Sequence, residues 1–275
     1  MSRWVEVFRA AGARFSAQGS AFTAQAIAYT ALFALVPLTL VGVSLLAFAF
    51  GTADGIAQAN RAILFYVPAL YDLLASNLQT IVRYRGVSGV VGFVGLAWGG
   101  KNLFQALTYA LNRSLGLEHQ RSLVWQVAIA LTLVPIAGVV IALATALPII
   151  ITLGVQFAGL ESLRWAPQIA SYGASFALVF VVCALLYAYL PNRQPSWPAV
   201  CAGAAVAALG YSIAQIAYAI YTTYAAYAFQ IYGALSALFV LLLWLDVIGV
   251  VFLFGAHVSA AWHEHVKTRK LPLAS

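Results

Sequence analysis

The sequence predicts an all-α integral membrane protein, a bundle of six transmembrane helices with amphipathic helices at the membrane interface. Only 8% of the 275 residues are charged, against roughly 25% in soluble domains, and 64% are hydrophobic. The apolar residues form long blocks without a charge, such as 22–50 and 122–160, whereas a helix on a soluble surface needs a polar face. These blocks are too long for barrel strands and do not alternate with period two, which excludes a barrel.

Six apolar blocks account for most of the chain. A helix needs about 20 apolar residues to cross about 30 Å of hydrocarbon, and each block reaches that length. We therefore expect one transmembrane domain over 1–275, with no separate soluble catalytic domain. The predicted spans are 22–50, 88–111, 122–153, 168–190, 197–224 and 233–262.

Two further segments are amphipathic. Residues 1–20 place Trp4, Phe8 and Phe15 on one helical face beside several arginines, which predicts an interfacial helix on the membrane surface. The alternative is a frayed polar tail. Residues 51–87 carry apolar side chains at helical spacing, which predicts an outer amphipathic segment that acts either as a lid or as an interfacial anchor.

The positive charge is distributed unevenly along the chain, whose net charge is +7. If the N-terminus is cytoplasmic, nine basic residues fall on the cytoplasmic side and four on the outer side, which favours cytoplasmic N- and C-termini. This excess of positive charge predicts attraction to anionic membrane lipids, and binding of nucleic acid is not needed to explain it. The cytoplasmic set is Arg3, Arg9, Arg14, Arg113, Arg121, Arg193, Lys267, Arg269 and Lys270, and the outer set is Arg61, Arg83, Arg85 and Arg164.

The second predicted span carries a stripe of glycines. Glycine at every third or fourth position predicts close approach of a neighbouring helix, within one bundle or between protomers of a homo-oligomer. A hinge is the alternative. Pro37, inside the first span, is expected to bend that helix. The stripe consists of Gly86, Gly89, Gly92, Gly95, Gly99 and Gly100.

Two charges lie well inside predicted spans. Lys101 and Asp246 are each about 20 Å below the outer boundary, taking a rise of about 1.5 Å per residue. We expect them to face one another or one cavity. Ionisable groups inside a membrane are costly and mark substrate or proton paths, so one reading is functional. The other reading is an ion pair that holds two helices together.

Other polar side chains offer weaker candidates. Tyr211, Gln215 and Tyr218 could line a polar cavity, although ordinary helix packing explains them as well. A histidine ordinarily titrates near physiological pH, so His257 is a candidate for a proton-linked role, with an interfacial or capping histidine as the alternative. Neither cysteine has metal or redox spacing, so we expect no metal and no cofactor. Of the seven acidic residues only Asp246 lies deep in a span, and Asp54, Glu118 and Glu161 lie in different loops, which disfavours an enzyme.

Short motifs recur in a fixed order along the predicted spans. They are Ala28, Tyr29, Thr30, Phe33, Pro37 and Leu38, then Trp98, Ala110–Arg113, Leu186–Asn192, Tyr232–Leu235, Leu242–Leu245 and Phe254–Ala256. In these motifs the chain resembles the YihY/BrkB family of bacterial inner-membrane proteins. The resemblance implies six transmembrane helices, location in the bacterial inner membrane and a transport-like role, with lipid as a suggested cargo. Two positions depart from the family pattern: His257 stands where an acidic residue is usual, and Asp246 where an uncharged aromatic is expected.

Two functions follow from these features. The first is an inner-membrane transporter or lipid flippase with a polar cavity between helices, supported by the two buried charges, the proline kinks and the glycine stripe. The second is a non-transporting membrane scaffold or assembly protein, in which the same charges only stabilise packing. An accessible cavity would favour the first function and a dry, closed bundle the second.

Overall fold

The described part of the chain is helical, which confirms the all-α fold class. The structure is a computed structural model that describes residues 3–50, 78–117, 151, 154–155, 166–193, 195–232 and 234–270. No strand occurs within these ranges. The helices are α1 (Arg3–Ala17), α2 (Ser20–Phe50), α3 (Leu78–Arg83), α4 (Arg85–Ser114), α5 (Ala166–Tyr189), α6 (Trp197–Tyr232) and α7 (Ala234–Lys270).

Four of these helices are long and apolar enough to cross a membrane. The second predicted span corresponds to α4. This helix is long enough to cross a membrane but is not among the four, because its glycines and its polar residues lower its mean hydropathy. The predicted span 122–153 lies, apart from residue 151, outside the described residues. The count of six spans therefore stays a prediction. The four membrane-crossing segments are Ser20–Ser44, Tyr172–Tyr189, Trp197–Tyr218 and Leu238–His265.

The helix ends agree with most of the predicted boundaries. The main differences are at the ends of α6 and α7, which continue to Tyr232 and Lys270, beyond the predicted ends at 224 and 262. Pro37 lies inside α2 and does not end the helix. Of the predicted outer segment 51–87, residues 51–77 lie outside the described residues, and the remainder forms α3 and the start of α4.

The chain divides into two compact units, each made of residues distant in sequence. The boundaries between the two units fall inside helices, and the single transmembrane domain over 1–275 stays a prediction. The first unit consists of Met1–Thr23, Leu107–Ile216 and Val250–Ser275, and the second of Ala24–Ala106 and Ala217–Gly249.

In the first unit, α1 packs against other helices through its apolar side. Val7 and Ala11 are buried, while Trp4 remains partly exposed with its ring 4.6 Å from that of Trp262. The helix predicted for 1–20 is therefore present, and its position on a membrane surface stays a prediction. The buried core at this contact consists of Val7, Ala11, Ala199, Val258, Ala261 and Trp262.

Also in the first unit, α6 and α7 cross with their backbones in contact. A Cβ atom placed on Gly203 would lie 2.5 Å from the carbonyl oxygen of Gly255, closer than any side chain allows. Tyr187 of α5 packs at this crossing, where its hydroxyl donates a 2.5 Å hydrogen bond to the carbonyl of Phe252 on α7. Glycine is thus required at the crossing because only its lack of a side chain lets the two helices meet.

In the second unit, the glycine stripe of α4 lies against α2. A Cβ on Gly92 would come 2.9 Å from the Cβ of Leu40, and one on Gly95 would come 3.0 Å from that of Pro37. This contact confirms close helix packing for most of the stripe. The first and last glycines of the stripe, Gly86 and Gly100, have nothing within 4 Å, so they lie outside the contact. The packed glycines are Gly89, Gly92, Gly95 and Gly99.

Candidate functional site

Asp246 lies within the membrane-crossing segment of α7, in the second unit. Its side chain is partly buried, and one carboxylate oxygen, Oδ1, is fully buried without a hydrogen-bond partner. Lys101, on α4 of the same unit, is exposed. An ion pair joins Arg14 to Glu264, whereas none joins Lys101 to Asp246, which are both described, so these two do not form the ion pair that the sequence offered as the structural alternative.

The predicted cavity residues make contacts within their own helices or with a neighbour. In the first unit, Gln215 Nε2 donates a 3.3 Å hydrogen bond to the hydroxyl of Tyr211, one turn earlier on α6. In the second unit, the ring of Tyr218 lies 4.7 Å from that of Trp244 on α7. That these three residues line a cavity stays a prediction.

His257 is buried in the first unit, with 1% of its surface exposed. Its Nε2 atom lies 2.7 Å from the hydroxyl oxygen of Ser20, the first residue of α2. The ring of Phe15 meets the imidazole edge-on at 5.7 Å, and the Nδ1 atom is buried without a partner. A neutral imidazole carries one donor and one acceptor, so this histidine satisfies only half of its hydrogen-bonding capacity.

Ser20 is a functional candidate that the sequence reasoning missed. The bend that brings it to His257 is made by Gly19, whose positive φ of 61° suits glycine, between the end of α1 and the start of α2. A serine at the start of a long apolar helix is a capping signal, and this could have drawn attention to it. Its partner was hidden because the two residues are far apart in the chain.

A second missed contact lies at the end of α4, in the first unit. The side-chain oxygen of Asn112 accepts a 2.8 Å hydrogen bond from the backbone N–H of Asn192, in the turn after α5. Asn112 is buried, and its Nδ2 atom has no partner among the described residues. Both asparagines belong to the motifs that carry the family resemblance. Their contact gives those motifs a structural role, because it ties the turn after α5 to the end of α4.

The remaining polar side chains do not assemble a metal site within the described ranges. No three His, Cys, Asp or Glu side chains of those ranges come together as metal ligands would. His263 instead accepts a 3.0 Å hydrogen bond from the backbone N–H of Ser196 through its Nδ1 atom.

The family model described as Virulence factor BrkB matches residues 11–274, nearly the whole chain. The chain belongs to the BrkB family. A UPF0761 membrane protein of Vibrio atlanticus is 31% identical over 244 residues, which cover 85% of this chain and 74% of that protein. These matches, with the four apolar helices, make it a membrane protein of this family.

Other BrkB-family relatives differ in length and in name. A Bacillus subtilis protein named as ribonuclease-like, YfkH, is 26% identical over 250 residues, which cover 88% of each chain. A UPF0761 membrane protein of Alkalilimnicola ehrlichii is 28% identical over 233 residues. That match covers 84% of this chain but only 52% of the relative, so the chain spans about half of its length. No solved structure matches this chain.

Proposed function

We propose that this BrkB-family protein is a transporter of lipids or small solutes in a bacterial inner membrane, and that Asp246 lies on the transport path. The proposal includes cytoplasmic N- and C-termini, membrane lipids as partners and no role for nucleic acid. It also assigns no enzymatic activity, and the ribonuclease-like name is that of the Bacillus subtilis relative.

The observation that carries this proposal is the unpartnered carboxylate oxygen of Asp246 inside α7. Removing an ion from water costs several kcal/mol, and a partner of opposite charge normally offsets this cost. No described cation does so here. Ionisable residues inside membrane helices mark substrate and ion pathways, because packing alone would be served better by an apolar side chain. Transport of a polar group or ion past Asp246 would give this carboxylate a functional role.

The packing of the helices supports a second candidate, a scaffold that transports nothing. The backbone contact between Gly203 and Gly255 and the glycine stripe of α4 hold helices tightly together within their units. A scaffold needs this packing but has no use for a carboxylate in the membrane interior. We therefore place it second.

Reconstitution of the purified protein into liposomes tests the proposal. Transbilayer movement of fluorescent lipid and efflux of trapped solutes are measured for the wild type and for Asp246→Asn, which removes the charge at nearly constant volume. We expect the wild type to move at least one class of cargo and the variant to be slower by about tenfold, equivalent to about 1.4 kcal/mol.

Glu264→Gln is the matched control, because it removes a carboxylate from the same helix at a side chain that is 54% exposed. It is expected to retain wild-type transport. If neither the wild type nor the variants move any cargo in liposomes, the transporter proposal is wrong and the scaffold remains. Equal transport by wild type and Asp246→Asn would remove Asp246 from the path.

A further inference from the structure

Two arginines of the first unit, Arg113 and Arg193, are held near each other by a hydrogen bond between their neighbours in the chain. The backbone N–H of Asn192 donates to the side-chain oxygen of Asn112 at 2.8 Å, and each arginine directly follows one of these asparagines. Covalent geometry therefore keeps the two arginine Cα atoms within about 15 Å of each other. Both arginines are exposed, and two arginine side chains are together long enough to meet across this distance.

Exposed aromatic residues flank the two arginines. The membrane-crossing segment of α5 ends at Tyr189 and that of α6 begins at Trp197, so Arg193 lies in the short turn between two membrane boundaries. Tyr189 and Trp197 are both exposed, as is Tyr109, one helical turn before Arg113. Tyrosine and tryptophan are enriched where lipid headgroups meet water. We therefore expect both arginines to lie at the level of the lipid phosphates.

The charges of the two arginines are not neutralised by the part of the chain that the structure describes. An ion pair joins Arg14 to Glu264, and none joins Arg113 or Arg193 to a described acidic side chain. Arg113 donates a 3.0 Å hydrogen bond from Nη1 to the hydroxyl of Tyr109, which carries no charge. The other N–H groups of this guanidinium have no described partner, so they are available to an anion.

The end of α4 does not need the guanidinium of Arg113 as a cap. The last carbonyl groups of a helix lack partners within it, and a nearby cation can satisfy them. Here backbone groups do so: the N–H of Leu117 donates to the carbonyl of Asn112 at 2.9 Å, and that of Gly116 to the carbonyl of Arg113 at 3.0 Å. Gly116 has a φ of 69°, the left-handed conformation that commonly closes a helix. The guanidinium is thus available to a ligand outside the helix.

We propose that Arg113 and Arg193 together bind the phosphate of an anionic phospholipid at this surface of the membrane. A guanidinium can form two parallel hydrogen bonds with a phosphate, and basic sites between transmembrane helices bind anionic headgroups. The net charge of +7 predicts only a general attraction to such lipids, whereas this pair is a defined site. The site does not depend on the proposed transport, because a resident lipid binds without any movement of cargo.

Native mass spectrometry of the purified full-length protein in detergent measures the binding of added lipid. The probes are phosphatidylglycerol, which is anionic, and phosphatidylcholine with the same acyl chains, which has no net charge. We expect the wild type to bind phosphatidylglycerol the more tightly. Arg113→Gln/Arg193→Gln should lower the affinity for phosphatidylglycerol by about tenfold, equivalent to about 1.4 kcal/mol. Each single variant should lose part of this affinity, because both arginines contact the same headgroup.

The matched control is Arg9→Gln/Arg83→Gln, which removes the same charge from two other exposed arginines. Arg83 lies over the ring of the neighbouring Tyr84 at 5.8 Å, much as Arg113 lies over that of Tyr109 at 6.0 Å. The control should keep the wild-type affinity for phosphatidylglycerol. All four arginines are exposed, so thermal unfolding in the same detergent should be unchanged in both double variants.

Equal affinity for phosphatidylglycerol in the wild type and in Arg113→Gln/Arg193→Gln would overturn the site. An equal loss in the control would also overturn it, because the attraction would then follow net charge, as would a loss carried entirely by one arginine. Inorganic phosphate at the same concentration should not displace the lipid; displacement would show a site for a soluble anion instead. Lipid binding without cargo movement would keep this site and overturn the transporter, whereas cargo movement without lipid binding would do the reverse.

Discussion

At the scale of single residues, the buried polar atoms distinguish this protein from a plain apolar bundle. His257 was predictable as a titratable group in the last span, but its burial and its contact with Ser20 were not. Asp246 and Lys101 were predictable as charges inside spans, whereas the absence of an ion pair between them required coordinates. Sequence gives the depth of a helical residue but not the direction of its neighbours.

The contact between Ser20 and His257 should stabilise the first unit. We expect Ser20→Ala to lower the free energy of unfolding by about 1–3 kcal/mol, because it leaves a buried imidazole with neither nitrogen hydrogen-bonded. Thermal unfolding in detergent measures the change. Ser16→Ala is the control, since Ser16 is exposed near the end of α1. Equal stability of the two variants would contradict a stabilising role for this hydrogen bond.

At the scale of helices, glycine positions determine which pairs approach closely. The stripe of α4 was recognisable from its spacing, and close packing was its simplest interpretation. The crossing of α6 and α7 was not recognised, because Gly203 and Gly255 each look like one small residue among many. Only the juxtaposition of the two backbones shows that both positions exclude a side chain.

Substitution at this crossing should be costly. Gly203→Ala is expected to lower the free energy of unfolding by about 1–3 kcal/mol, because the new Cβ would meet the carbonyl oxygen of Gly255 at 2.5 Å and force the helices apart. Thermal unfolding in detergent again provides the measurement. Gly173→Ala is the matched control: this glycine of α5 has nothing within 4 Å, so alanine should maintain or raise stability. If Gly203→Ala has the same thermal stability as the wild type, the two helices do not cross as tightly as described.

At the scale of the whole molecule, charge distribution and hydropathy carry most of the information. Four helices meet the requirements for crossing a membrane, and the match over residues 11–274 assigns the family. The predicted orientation rests on nine basic residues against four, a bias that retains positively charged loops in the cytoplasm.

Reporter fusions test this orientation. Green fluorescent protein fused to the C-terminus should fluoresce in bacterial cells, because it folds in the cytoplasm, and alkaline phosphatase fused there should be inactive. A fusion after residue 85 should behave in the opposite way, since this position lies at the start of α4, on the predicted outer side. An active C-terminal phosphatase would contradict the predicted cytoplasmic C-terminus.

The sequence by itself determined that lipid surrounds most of this protein and which stretches of the chain form helices. Long uncharged blocks leave helices in lipid as the physical solution, because every backbone polar group must then be paired within the segment. Tertiary structure alone decided which polar atoms have partners. Ser20 meets His257 and the Oδ1 atom of Asp246 meets no described partner, because such contacts depend on how distant helices are rotated about their axes.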